Sequence, residues 1–169
     1  MYNVIDEFKD KTTEEINDTL RQTANPFSVL MEHWQGDFNI STMIRNANAF
    51  NARKVFYLGR KKFDRRGTVG THHYVDLNFL RTHDELAALK EKYTFVCMDN
   101  VEGSVPLEGF KWPQNPLIIF GEEGAGITKE TLAMADHVVA ITQYGSVRSM
   151  NVGTASGITM YDFMSKVKS

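Results

Sequence analysis

One cysteine, Cys97, stands in a chain of 169 residues, which excludes a disulfide framework within the chain. It lies in the apolar run TFVCM, where a buried core thiol is expected, and a reducing compartment suits it. Long hydrophobic runs are missing too, so no helix is expected to span a membrane. The amino-terminal MYNVIDEFKDKTTEE carries acids and no apolar stretch, so no signal peptide is expected and the location reads as cytoplasmic. Positive charge is not in excess. With a formal net charge of −2, any affinity for nucleic acid must come from a local patch. Metal-binding spacing is absent: there is no H-x-x-x-H, and the adjacent His72 and His73 point in different directions, so no metal is expected. A G-x-S-x-G nucleophile elbow is absent as well. There is no internal repeat and no low-complexity tract.

What is present is an ordinary globular composition, 42% hydrophobic and 24% charged, at a length that implies one domain. Strand and helix patterns alternate along it. A polar helix over 12–22, with Thr12 or Thr13 as its cap, is broken by Asn25-Pro26. An apolar strand follows at 27–33. Ile40, Met43, Ile44, Ala47 and Phe50 recur at helical spacing and predict an amphipathic helix. Strands are expected at 54–59, more weakly at 74–80, and at 94–99; helices at 84–92 and 129–135. A connector covers 103–116. PLIIFG and HVVAIT read as two further strands, and a helix runs from about Met150 to the end. The apolar strands lack a clean period of two. That predicts an α/β fold with a mostly parallel sheet and helices on both faces.

The last quarter holds the most informative pair. Phe120-Gly121-Glu122-Glu123-Gly124-Ala125-Gly126 follows one strand, and a second glycine-rich loop from Gly145 to Gly157 follows the next. Glycine lets backbone approach a ligand closely. Two such loops at the carboxyl ends of strands form a crevice of the kind in which open α/β sheets bind ligands. The first loop lacks any basic residue before Lys129 and carries two carboxylates, which repel a polyphosphate. Its G-x-x-G-x-G order is not the dinucleotide G-x-G-x-x-G. A ligand of adenosine type, neutral or cationic at its reactive end, fits better; two plain turn-rich loops are the alternative.

Other residues carry chemistry more ambiguously. Asn39 suits a helix N-cap. Arg45, between apolar Ile44 and the small Ala47, is either a solvated surface charge or a functional group. Ser149 and Asn151 begin the last helix, where either can cap it. Gly153, Ser156 and Gly157 thin one side of that helix, which suggests close approach by another backbone or a ligand. Residues 53–66 contain Arg53, Lys54, Arg60, Lys61, Lys62, Arg65 and Arg66 against the single acid Asp64. These bases could meet phosphates while Phe63 stacks on a base, and a solvated loop is the alternative.

Taken together, NISTMIRNANAF, FGEEGAGIT and ITQYGSVRSMNVGTASGI resemble, in order and spacing, motifs 1, 2 and 3 of the SpoU (TrmH-type) RNA ribose methyltransferases of the SPOUT superfamily. The resemblance covers roughly residues 26–165 and leaves 1–25 as a short helical extension. It implies a trefoil-knotted methyltransferase domain over 26–169, a homodimer and S-adenosylmethionine as methyl donor. The acceptor it implies is a ribose 2′-hydroxyl of structured RNA, either tRNA or rRNA. Asn39, Arg45, Ser149 and Asn151 fall on its catalytic positions, with the arginine proposed as base. Phe120, Gly121, Glu123, Gly124, Gly126, Ile141, Gln143, Ser149, Met150 and Asn151 fall on its cofactor positions. Arg60, Lys61, Lys62, Arg65 and Arg66 are the expected RNA contacts. Departures occur at Gln143-Tyr144, Arg148 and Gly153-Thr154. A non-catalytic RNA-binding module of the same fold is the alternative.

Overall fold

A computed structural model describes residues 4–59 and 62–168. Arg60 and Lys61 therefore lie outside the described residues. The chain opens with helix α1 (Thr13–Gln22), and Thr12 caps it in a capping box. The Thr12 hydroxyl accepts from the Glu15 N–H at 3.2 Å, and the Glu15 carboxylate accepts from the Thr12 N–H at 2.7 Å. Then come β1 (Asn25–Glu32), α2 (Asp37–Ala49), β2 (Ala52–Leu58), β3 (Leu77–Leu80), α3 (His83–Ala88) and β4 (Thr94–Met98). The chain ends with β5 (Val105–Pro106), β6 (Pro116–Phe120), α4 (Lys129–Ala133), β7 (His137–Ala140) and α5 (Val152–Val167).

Among the described residues seven strands form one sheet in the order β3-β2-β1-β6-β4-β7-β5, and each of their pairings is parallel. A parallel ladder needs long crossovers, and these carry helices onto both faces. On one face Val29, Met31, Val55 and Ile118 pack under α2 and α5, with Ile40, Met43, Met160 and Phe163. On the other, Leu30, Phe56, Phe95 and Ile119 pack under α3 through Leu86 and under α4 through Leu132. Neighbours in sequence such as Val29 and Leu30 point to opposite faces, and both are fully buried. That is why these strands read as continuous apolar runs. Cys97 is buried as expected, and burial, its largest influence, pushes the thiol up to about 12.

Several elements differ from their sequence reading. β3 begins at Leu77 because Thr71–Tyr74 wind into a 3-10 turn. The helix expected over 84–92 stops at Ala88 and continues as a 3-10 turn, and the connector 103–116 contributes the edge strand β5. The thin side of α5 meets α2 of its own chain. A Cβ on Gly153 would lie 3.1 Å from Thr42, and one on Gly157 would lie 3.1 Å from Asn46. Asn46 Nδ2 donates to the Gly153 carbonyl and the Ser156 hydroxyl, each at 3.1 Å. Met160 and Phe163 consequently fill the core and not an outer seam. No helix among the described residues is long and apolar enough to cross a membrane.

Candidate active site

The carboxyl ends of β4, β6 and β7 open into one cleft of about 120 Å³. Phe120, Gly121, Glu123, Gly124, Ile141, Gln143, Ser149 and Met150 line it. Gly126 and Asn151 do not, and each has another task. Gly126 closes the first loop: its N–H donates to the Glu122 carbonyl at 2.8 Å and its carbonyl accepts from the Glu122 N–H at 3.2 Å. Gly124 at φ 93° and Gly126 at φ 74° make that closure possible, because side chains rarely tolerate such backbone. Gly121 is fixed by contact: a Cβ there would lie 2.1 Å from the Gly126 carbonyl carbon.

β4 supplies lining residues that the sequence reading did not name, Met98, Asp99 and Asn100. They follow a recognisable strand end. The missing information was that β4 lies beside β6, which only the strand order reveals. Asp99 Oδ2 accepts from the Ile127 N–H at 2.9 Å and so ties the first loop to β4. Asn100 reaches the carbonyl of Arg148 at 3.4 Å in the second loop. No Lys or Arg is among the described lining residues, whereas Asp99, Glu122 and Glu123 are.

One cluster of side chains joins all three sequence motifs. Asn39 Nδ2 donates to Glu123 Oε2 at 2.9 Å. Asn151 Nδ2 donates to Asn39 Oδ1 at 2.9 Å and to Glu123 Oε1 at 3.2 Å. Asn151 is also the N-cap of α5, its Oδ1 accepting from the Thr154 N–H at 3.0 Å. Asn39 is not a cap. Helix α2 starts two residues earlier, with Gly36 at the N-cap, so Asn39 lies inside the first turn and turns its amide across to Glu123. Ser149 does not cap either; it is exposed on the cleft wall. Arg45 is exposed on α2 and makes no hydrogen bond or ion pair among the described residues.

Behind the first loop, Glu32 ends β1 and anchors the start of α4. Its carboxylate accepts from the Thr128 N–H at 2.8 Å, the Thr128 hydroxyl at 2.7 Å and the Thr131 hydroxyl, and His83 Nε2 lies 3.2 Å away. Burial opposes its ionisation, but the donors of Thr131, Thr128 and His83 outweigh burial and hold the carboxyl below its ordinary value of 4.5. The histidine-and-acid grouping here, Glu32 with His33 and His83, was not apparent in sequence because β1 and α3 lie far apart along the chain. His72, half-buried in its 3-10 turn, hydrogen-bonds the hydroxyl of Thr68.

Of the described basic residues beyond β2, Lys62 and Arg65 line a second cleft, while Arg66 is bound by Asp64 through Nε at 2.7 Å. Phe63 is only 9% exposed and packs into the core, so it offers no open face to a base.

The sequence matches the SpoU rRNA Methylase family over residues 26–161. It is 28% identical over 152 residues to the tRNA (guanosine(18)-2′-O)-methyltransferase of Escherichia coli K12. That match covers 87% of this chain and 66% of the relative, so the chain spans slightly under two thirds of the relative's length. The fold is shared with the TrmH/SpoU tRNA modifying enzyme of A. aeolicus, at a TM-score of 0.81 and 21% identity, covering 92% of this chain and 84% of the other. It is also shared with the SpoU methyltransferase AviRb of Streptomyces viridochromogenes in its complex with the cofactor AdoMet. There the TM-score is 0.76 at 23% identity, with 84% and 58% covered. With the family matched across most of its length and the fold matched independently, the chain belongs to the SpoU methylase family.

Proposed function

We propose that the protein is an S-adenosylmethionine-dependent methyltransferase acting on a ribose 2′-hydroxyl of structured RNA. The observation that carries this is the cleft at β4, β6 and β7, walled by glycine backbone, bearing carboxylates and lined by no described cation. The residues present fit the cofactor. Phe120, Ile141, Met150 and Val152 give apolar walls for an adenosine, the bare Gly121 backbone permits close approach, and the acids suit a cation. S-adenosylmethionine supplies a methyl group on a positively charged sulfur. The relative in E. coli is named for methylating a tRNA ribose and AviRb holds the cofactor, which supports both halves of the reading.

The chain's own residues then divide the work. Glu123, held by Asn39 and Asn151, keeps the two glycine-rich loops and α2 in fixed register at the mouth of the cleft. Arg45 lies further along the same helix on the solvent side, so we assign it to the acceptor. A guanidinium stays protonated at neutral pH, so Arg45 donates hydrogen bonds to the ribose oxygen or its phosphate, and does not act as the base. Positioned charge of this kind acts mainly on the transition state. The trefoil knot implied by the family resemblance belongs to this reading as well. After β7 the chain crosses back over β4 and β6 to pack α5 on α2, the region where such a knot would form. Transfer of labelled methyl from S-adenosylmethionine to unfractionated tRNA or rRNA by the purified protein tests the function. RNA binding with neither cofactor binding nor transfer would leave only a non-catalytic RNA-binding module of this fold.

We also propose a homodimer. Phe38 is 80% exposed on α2, and Tyr161 is 66% exposed on α5; Ile158, Val147 and Tyr144 are exposed as well. A set of exposed apolar residues on neighbouring elements marks an interaction surface. Phe38, Thr42 and Arg45 fall at i, i+4 and i+7 and share one side of α2. A partner on this face would complete the site beside Arg45. Sedimentation at micromolar concentration should give the mass of two chains; a fully active monomer would rule this out.

A further inference from the structure

A second cleft opens where β2 and β3 end, on the same carboxyl edge of the sheet as the proposed active site. Its floor is Phe63 and its rim holds Phe79, Lys62, Arg65 and Arg81. Phe79 is 51% exposed on the edge strand, with the ring of buried Tyr57 6.1 Å from its own. The side chains of Lys62, Arg65 and Arg81 make no ion pair among the described residues, whereas nearby Arg66 is held by Asp64. The acids of the first turn of α3 are Asp84 and Glu85, and the Glu85 carboxylate is taken by the backbone N–H of Arg81 at 2.7 Å. Three unpaired cations around one open aromatic ring are unusual in a chain of net charge −2.

We propose that this groove holds an unpaired nucleotide of the RNA, its base stacked on Phe79 and its flanking phosphates on Lys62, Arg65 and Arg81. The inference rests on the reading of the substrate as RNA and adds where a stretch of it outside the reacting nucleotide is gripped. Stacking on an aromatic ring beside basic groups is how proteins hold single strands, because every base offers a flat face. A duplex hides those faces, so the groove selects a loop or bulge. An acidic peptide would satisfy the cations but leave the ring without a flat partner. The groove and the cleft at β6 are separated by β2 and β1. At strand spacings of about 4.8 Å, β3 and β6 lie roughly 14 Å apart. One RNA chain running along the carboxyl edge can therefore reach both.

The test uses the full chain with two probes, a short fluorescent oligouridine and unfractionated tRNA, titrated between about 50 and 200 mM salt. Phe79→Ala should weaken binding roughly tenfold or more, the usual effect of losing one stacked base. Phe79→Tyr should bind as the natural chain does, since the ring is kept. Arg65→Gln combined with Arg81→Gln should lower the slope of log affinity against log salt by about 1.4, for two phosphate contacts on a single strand. Cofactor binding by calorimetry should be unchanged in all three, which separates a lost groove from a lost fold. If the natural chain methylates RNA but the variants keep its affinity and salt slope, the groove is wrong and the function stands. If the natural chain binds neither RNA probe, both fall. Equal affinity for polyglutamate would overturn the groove in favour of an acidic peptide.

Discussion

Gly121→Ala is expected to weaken cofactor binding severely. The added methyl would stand 2.1 Å from the carbonyl carbon of Gly126, and 2.3 Å from both its oxygen and the nitrogen of Ile127. Those atoms are backbone, so no side-chain rotation relieves the overlap. Either β6 shifts or the closure between Glu122 and Gly126 opens. Overpacking of this kind typically costs about 1–3 kcal/mol, and the distortion falls on the cleft wall itself. S-adenosylmethionine affinity should drop on the order of a hundredfold, about 2.8 kcal/mol at 1.4 kcal/mol per tenfold. Gly109→Ala is the matched control, because a methyl there meets nothing within 4 Å and the residue lies off the cleft. Calorimetry on both variants checks the prediction. A folded Gly121→Ala protein with undiminished cofactor affinity would place the cofactor elsewhere. Gly124→Val is a poorer probe, since a Cβ at Gly124 meets no atom and only the φ of 93° resists it.

Arg45→Ala should give the opposite pattern. Cofactor affinity should be retained, because Arg45 does not line the cleft. Methyl transfer should fall on the order of a hundredfold or more, the usual effect of removing one group that acts in the transition state. The separation is sharp because exposed Arg45 makes no hydrogen bond or ion pair among the described residues, so its loss should not disturb the fold. Single-turnover transfer with saturating cofactor isolates the chemical effect. Transfer within a few-fold of the natural chain would remove Arg45 from the acceptor side. Arg45→Lys would add detail: a lysine keeps the charge but not the planar fork, so recovered transfer would mean that charge alone suffices.

Much of this site was legible because its chemistry is local in sequence. The loop Gly121–Gly126 and the cap Asn151 announce themselves by residue type. So do the strands at Thr94–Met98 and Pro116–Phe120, where Phe95, Val96 and Cys97 and the whole of Pro116–Phe120 are buried. What stayed hidden depends on which strands are neighbours. Asp99 became a cleft residue only when β4 was found beside β6, and Glu32 became the anchor of α4 only through contacts far along the chain. Asn39 departs from the cap its residue type suggests for a related reason. Its residue type fits a helix end, but Gly36 begins the helix and the amide is used by Glu123 instead. Phe63 and Phe79 show the same limit: both are aromatic beside basic residues, and burial alone decides which one is open.

The most direct test of the account identifies the modified nucleoside. RNA incubated with the protein and S-adenosylmethionine carrying a labelled methyl is digested to nucleosides and analysed by mass spectrometry. The account predicts that the label appears on the ribose, in a 2′-O-methylated nucleoside, and falls sharply with Gly121→Ala. Label on a base, or an unlabelled RNA from a protein that binds the cofactor, would contradict it.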